Sequence, residues 1–164
     1  MLLLPSRVTS SPTQTMLGSA SAAAIGVSVM RSKMVVPERS AHSFEETCAR
    51  AERVVEDTEG WSFPRPSFDM GSKLAEKGAL PANLRRIRLY SVCSPPVAAR
   101  VLGDTPKLSA IMPCSWSVYE KADGSVWLSH MNIAMMSKVM GGVVGEAMGT
   151  VARADATFMA KILK

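Results

Sequence analysis

From residue 33 onward, apolar and polar positions alternate between two periods. In "SFEETCARAERVVEDTEG", Phe44, Cys48, Ala51, Val54 and Val55 recur at helical spacing, which places them on one buried stripe. Ser43 stands just before that run and Glu46 three residues after it, a capping-box pattern that satisfies free amides at a helix start. Gly60 is expected to end the helix. Upstream, Lys33 to Val36 reads as a short strand halted by Pro37. Downstream, the two prolines of "WSFPRPSFDM" predict an irregular or edge strand, and Gly71 to Gly78 a short helical turn.

Strand periodicity returns in "RRIRLYSV": Ile87, Leu89 and Ser91 take one side, and Arg86, Arg88 and Tyr90 the other, which is expected to be partly wet. Cys93 closes this strand. Ser94 can cap a helix starting at Pro95 and Pro96, where proline costs little, and running to Gly103. Two strand-like runs then flank Asp123-Gly124, a pair suited to a tight hairpin. A two-residue loop there sets Glu120 opposite Trp127, Val118 opposite Ser129, and Trp116 opposite Met131. Cys114 then shares a face with Trp116 and Val118, and His130 points to the other. Both faces carry apolar residues, so one is expected on helices and the other against a second subunit or the leader. The last stretch, from Ile133 through Met136, Met140, Val144, Met148 and Val151 to Phe158, predicts a long interrupted helix. Gly141, Gly145 and Gly149 recur every fourth residue as a strip for close backbone approach.

The length, 164 residues with 47% hydrophobic composition, suits one domain and not two. The net charge of +5 is unevenly placed: Arg7, Arg31 and Lys33 all precede Glu38, the first acid. The short basic cluster "NLRRIRLY" lacks interleaved aromatics and a repeated basic face, so no nucleic-acid partner is expected. Residues 1–32 are rich in Ser, Thr and Ala. They read as a targeting, flexible or anchoring leader, which favours an organelle (mitochondrion or plastid) or membrane association over the cytoplasm, although the apolar stretch is too weak for a spanning helix. Residues 33–164 form the domain.

The strings "SFEETCARAERVVEDTEGW", "YSVCSPPVAARVL", "IMPCSWSVYEKADGSVWLSHMN" and "MGGVVGEAM", in this order, resemble the DUF302 family of small proteins with a TT1751-like fold, from Lys33 to about Val151. Positions matching the family's pattern are Thr47, Trp61, Cys93, Pro95, Pro113, Cys114, Tyr119, Asp123, Gly124, Asn132 and Glu146. The resemblance implies an α+β domain, an antiparallel sheet with helices packed on it, and self-association as a homodimer. It implies no biochemical activity.

Candidate chemistry is sparse. Cys48, Cys93 and Cys114 stand singly, without a CxxC pair, so no disulfide framework is indicated. Cys48 belongs to the helical stripe. Cys93 precedes a helix start whose amides can lower a thiol pKa. Cys93, Cys114 and a methionine such as Met112 or Met131 form a soft donor set suited to copper(I) or haem, and the two thiols also form a candidate redox pair. The hairpin sets His130 away from Cys114, which argues against a direct dyad of the two and leaves one with Cys93 open, and no phosphate-cradling loop is present. Asn132 can cap the last helix and meet a ligand; Glu146 sits on an otherwise apolar helix, facing a pocket, an arginine or solvent. Cys93, Cys114, Asn132 and Glu146 are therefore the candidate binding residues of a small-molecule or soft-cofactor protein of unassigned cofactor. The rival readings are a structural subunit with a protein partner and a thiol-dependent enzyme.

Overall fold

A computed structural model describes residues 33–164. Five strands, β1 (Val35–Arg39), β2 (Phe68–Asp69), β3 (Leu84–Val92), β4 (Cys114–Lys121) and β5 (Val126–Met131), form one antiparallel sheet in the order β1-β5-β4-β3-β2. The helices are α1 (Phe44–Glu56), α2 (Met70–Glu76), α3 (Pro95–Asp104), α4 (Ile133–Met140) and α5 (Gly142–Leu163), with a 3-10 turn at Pro106–Ile111. The class is the expected α+β single domain. The leader assigned to residues 1–32 lies outside the described residues.

Local sequence explains most boundaries. Ser43 Oγ accepts from the Glu46 amide at 3.2 Å and starts α1, whose stripe of Phe44, Cys48, Ala51, Val54 and Val55 is buried as the spacing predicts. Pro37 does not halt β1. The strand runs through it opposite Ser129, because β1 is an edge and no ladder donor is needed on its open side. β2 is the expected short edge, two residues long. The long C-terminal helix breaks where Gly141 and Gly142 take φ of +59° and +53°, a region that disfavours residues with a Cβ.

The hairpin departs from expectation by one residue. Lys121 N donates to Ser125 O at 2.9 Å and Gly124 N to Lys121 O at 2.9 Å, with Gly124 at φ +80°. Ala122, Asp123 and Gly124 thus form a three-residue loop with glycine in the left-handed position. Trp116 pairs with His130, Val118 with Leu128, and Glu120 with Val126. Since strand faces have a period of two, this shift turns all of β5 over. Trp116, Val118, Val126, Leu128 and His130 lie together on the helix-covered face. Glu120 joins them, clamped by Arg85 and Arg86.

The homodimer and protein-partner expectations are corrected by the same shift. They required an apolar second face, whereas the open face of β4 and β5 carries Ser115, Ser117, Tyr119, Trp127 and Ser129, none of them buried. Trp127 donates to Ser125 Oγ at 2.9 Å and lies under Lys121 Nζ, 4.2 Å from its ring centroid. Membrane association and organellar placement are corrected as well. Among the described residues no helix is long and apolar enough to cross a membrane, and α5, the longest, carries Glu146, Arg153, Asp155 and Lys161.

Two buried clusters fill the covered side. One joins α1 and the end of α5 to the sheet through Tyr90, Trp116, Leu128, Phe158 and Ile162. The other joins α3, α4 and the start of α5 through Val101, Ile133, Ala147 and Met148. The end of α5 is held by the segment after β1 and by α1: Ala41 N donates to Leu163 O at 3.0 Å, and Arg50 Nη1, on α1, to Lys161 O at 3.3 Å and Lys164 O at 3.4 Å. These donors satisfy carbonyls that the helix leaves free.

Candidate functional site

The last residues of β3, the start of α3 and the entry of β4 meet at the second cluster. Val92 is the register partner of Cys114, so Cys93 arrives beside the Cys114 strand entry. Both thiols line one apolar crevice with Trp61, Met112, Met131, Met136 and Met148. The free space is narrow, about 30 Å³, roughly one water. Methionine side chains have three soft torsions and a polarizable sulfur, so this wall can re-form around an inserted group more easily than an aromatic one.

The crevice does not activate its thiols. Burial, then the Asp155 carboxylate and Cys93, push the Cys114 thiol up to about 11, and burial also raises Cys93. The expectation that the α3 amides lower Cys93 is therefore overturned by desolvation, and the Ser94 side chain makes no cap hydrogen bond. Both cysteines are free thiols. Among the described residues no group of three or more His, Cys, Asp or Glu side chains is arranged to hold a metal. A soft ion would have to draw on methionine sulfur and displace protons that burial retains.

Two of the four candidate residues come together and two do not. Asn132 caps α4, its Oδ1 accepting from Met135 N at 3.0 Å, and its Nδ2 donates to Lys33 O at 2.9 Å; both ends of the amide are used. Glu146 leaves the crevice altogether, with 76% of its side chain exposed and Arg100 Nη2 3.7 Å away, an exposed pair of small energetic value. Of the glycine strip, only Gly145 makes the close approach: a Cβ there would meet Ser137 O at 2.7 Å, whereas Gly149 would meet only the far end of Arg153.

The turned-over β5 assembles a second feature that periodicity placed elsewhere. His130 is on the Cys114 face, not the opposite one. Its Nε2 lies 3.2 Å from Glu38 Oε1 and its Nδ1 2.6 Å from Asp155 Oδ2, the latter too oblique for a directed hydrogen bond. Asp155 Oδ1 accepts from Trp116 Nε1 at 3.2 Å. Burial opposes charge on His130, but Asp155 and then Glu38 outweigh it, and its pKa lies above the ordinary histidine value. With carboxylates beside both ring nitrogens and a protonated thiol nearby, this group has no free basic nitrogen to offer Cys114. An Asp one helical turn before Phe158 on an apolar helix was the available signal for a buried polar partner.

The family model described as "Domain of unknown function DUF302" matches residues 36–164. A solved structure, that of the uncharacterized conserved protein DUF302 from Bacillus stearothermophilus, is similar at 22% identity with a TM-score of 0.67, over 79% of this chain and 98% of that one. No curated protein matches the chain.

Proposed function

Since the chain belongs to the DUF302 family, whose description carries no activity, we propose from its geometry that it is a binding protein for a small, uncharged apolar molecule, received in the Cys93–Cys114 crevice. The observation that carries this reading is the convergence of two protonated thiols and four methionines on one apolar opening. Raised thiol pKa values favour a neutral guest over a thiolate-bound ion. The narrowness of the unfilled crevice requires that the guest enter by displacing methionine side chains, which is the adaptation thioethers permit at low cost.

Methionine methyl groups provide the test. In full-length protein labelled at the methionine methyls and titrated with octanol, Met112, Met131, Met136 and Met148 are expected to shift together in one saturable transition. Met70 and Met159, which line other regions, stay in place. Uniform drift of all the methyls, or no shift at all, refutes the reading. Ala98→Phe, which fills the crevice mouth from α3, should abolish the response while leaving the fold intact.

A further inference from the structure

We propose that a second site, the cleft between α1, α2 and β3, binds a small monocarboxylate with an apolar body through Arg88. This site lies toward the opposite end of β3 from the crevice and does not depend on that reading. The cleft encloses about 530 Å³, within the usual range for small-molecule sites. Phe44, Ala49, Ala75 and Leu80 supply apolar wall, and Arg86 and Arg88 project from the same face of β3. Gly71 brings α2 close: a Cβ there would meet Ile87 N at 2.9 Å.

The two arginines are two residues apart and differ in one respect. Arg86 stands opposite Glu120 across the strand, donates from Nε to Glu120 Oε2 at 2.8 Å, and also pairs with Glu45. Arg88 stands opposite Val118. Among the described residues, Arg88 has no carboxylate at ion-pair distance. Its guanidinium lies 5.9 Å from the Phe44 ring centroid and is partly buried.

The acids facing Arg88 are engaged elsewhere. Glu45 holds Arg86. Glu52 Oε1 accepts from the buried Tyr90 hydroxyl at 3.0 Å. Asp69, the register partner of Arg88, turns to α2, where its two oxygens accept from Ser72 N and Ser72 Oγ, each at 2.9 Å. Arg88 thus has the Tyr90 hydroxyl as a neighbour but no acid of its own, and its guanidinium suits the planar two-oxygen geometry of a carboxylate. Glu45, Glu52 and Asp69 around it repel a second negative charge, which selects against phosphates and other polyanions. The Phe44 face and the alanines receive the apolar body of the same ligand. Its carboxylate belongs either to a simple acid or to an amino acid whose ammonium meets the second oxygen of Glu52.

The test is a nitrogen-15 titration of the full chain with phenylacetate, phenylalanine and inorganic phosphate in turn. Saturable shifts of the Arg88 side chain and of α1 and α2 amides with either carboxylate support the site. Tighter binding of phenylalanine identifies the amino-acid source, and tighter binding of phenylacetate the simple acid. Arg88→Gln should weaken binding by about tenfold or more, while Arg100→Gln, on α3, leaves it unchanged. If Arg88→Gln fails to fold, Arg88→Lys keeps the charge, loses the planar fork, and should show a smaller fall in the same direction. No saturable shift with either carboxylate, phosphate binding as tight as theirs, or binding that survives Arg88→Gln overturns the proposal.

Discussion

The two buried clusters are bridged by Trp61, which packs against both, and they are built from different materials. Under the sheet, Phe158 meets Trp116 and Trp61 edge-on at centroid separations of 5.8 and 5.1 Å, surrounded by branched Val55, Val118 and Leu128. Such side chains have few rotamers and interlock. Under α3 and α4, alanine, valine and methionine border the crevice, and the thioethers keep several conformations within reach. One end of the domain therefore has the packing of a fixed frame, and the other the packing of a deformable pocket wall. This division supports the binding reading, because a guest can reshape the second cluster without disturbing the first.

The contrast can be broken most severely at Leu128. Leu128→Ala, fully buried in the first cluster, should cost about 4 kcal/mol in urea unfolding; a loss below about 1 kcal/mol would mean that this cluster is not the rigid one. Next comes Asp155→Ala, which strips an acceptor from Trp116 and a charge partner from His130. It should cost about 3 kcal/mol and flatten the pH dependence of stability. Folding raises the His130 pKa, so its contribution is fully present below the unfolded value, about 6.5, and is lost as pH rises through the folded value. Stability measured from pH 6 upward should therefore fall in the parent more than in the variant.

Smaller effects sharpen the picture at the pocket end. Gly145→Ala forces α4 and α5 apart at Ser137 and should cost about 2 kcal/mol, whereas Gly149→Ala, whose Cβ would meet only the far end of Arg153 at 3.7 Å, should gain up to about 1 kcal/mol of helix propensity. Thermal melts of the pair distinguish a contact from a repeat. Met148→Leu, buried in the second cluster, should cost only about 1 kcal/mol and yet weaken octanol binding. If stability falls as far as in Leu128→Ala, the two ends do not differ in deformability.

The helices were legible because their signals are local. Ser43, Glu46 and the stripe behind them fix α1 without help from the rest of the chain. Hairpin register was not, because Asp123-Gly124 fits a two-residue loop and also the end of a three-residue one, and the alternatives differ by a single hydrogen-bond step. That step decides whether His130 is solvent-facing or buried beside Asp155. The arginines of β3 predict a partly wet face, and Arg86 and Arg88 are indeed only partly buried. Their face is the helix-covered one, where Arg86 and Arg88 lie over Phe44 and the acids of α1, a placement that period-two alternation assigns no sign. Cys93 and Cys114 were brought to one crevice by the β3–β4 register, which depends on pairing over some twenty residues, and Glu146 was lost from the site because helix phase alone did not reveal its exposure.

The latch between the segment after β1 and the end of α5 has a consequence for synthesis. A nascent chain delivers β1 and α1 early, but Phe158, Met159 and Ile162, which fill the first cluster, and Asp155 beside them stand at the far end of the domain. Until those residues emerge, Trp116 lacks its acceptor, His130 lacks one of its two acids, and Ala41 and Arg50 have no carbonyls to bind. The sheet can pair during translation and α1 can cover part of it, but the part of its apolar face under α5 stays open until nearly the whole domain has left the ribosome, which leaves that stage most dependent on chaperone protection.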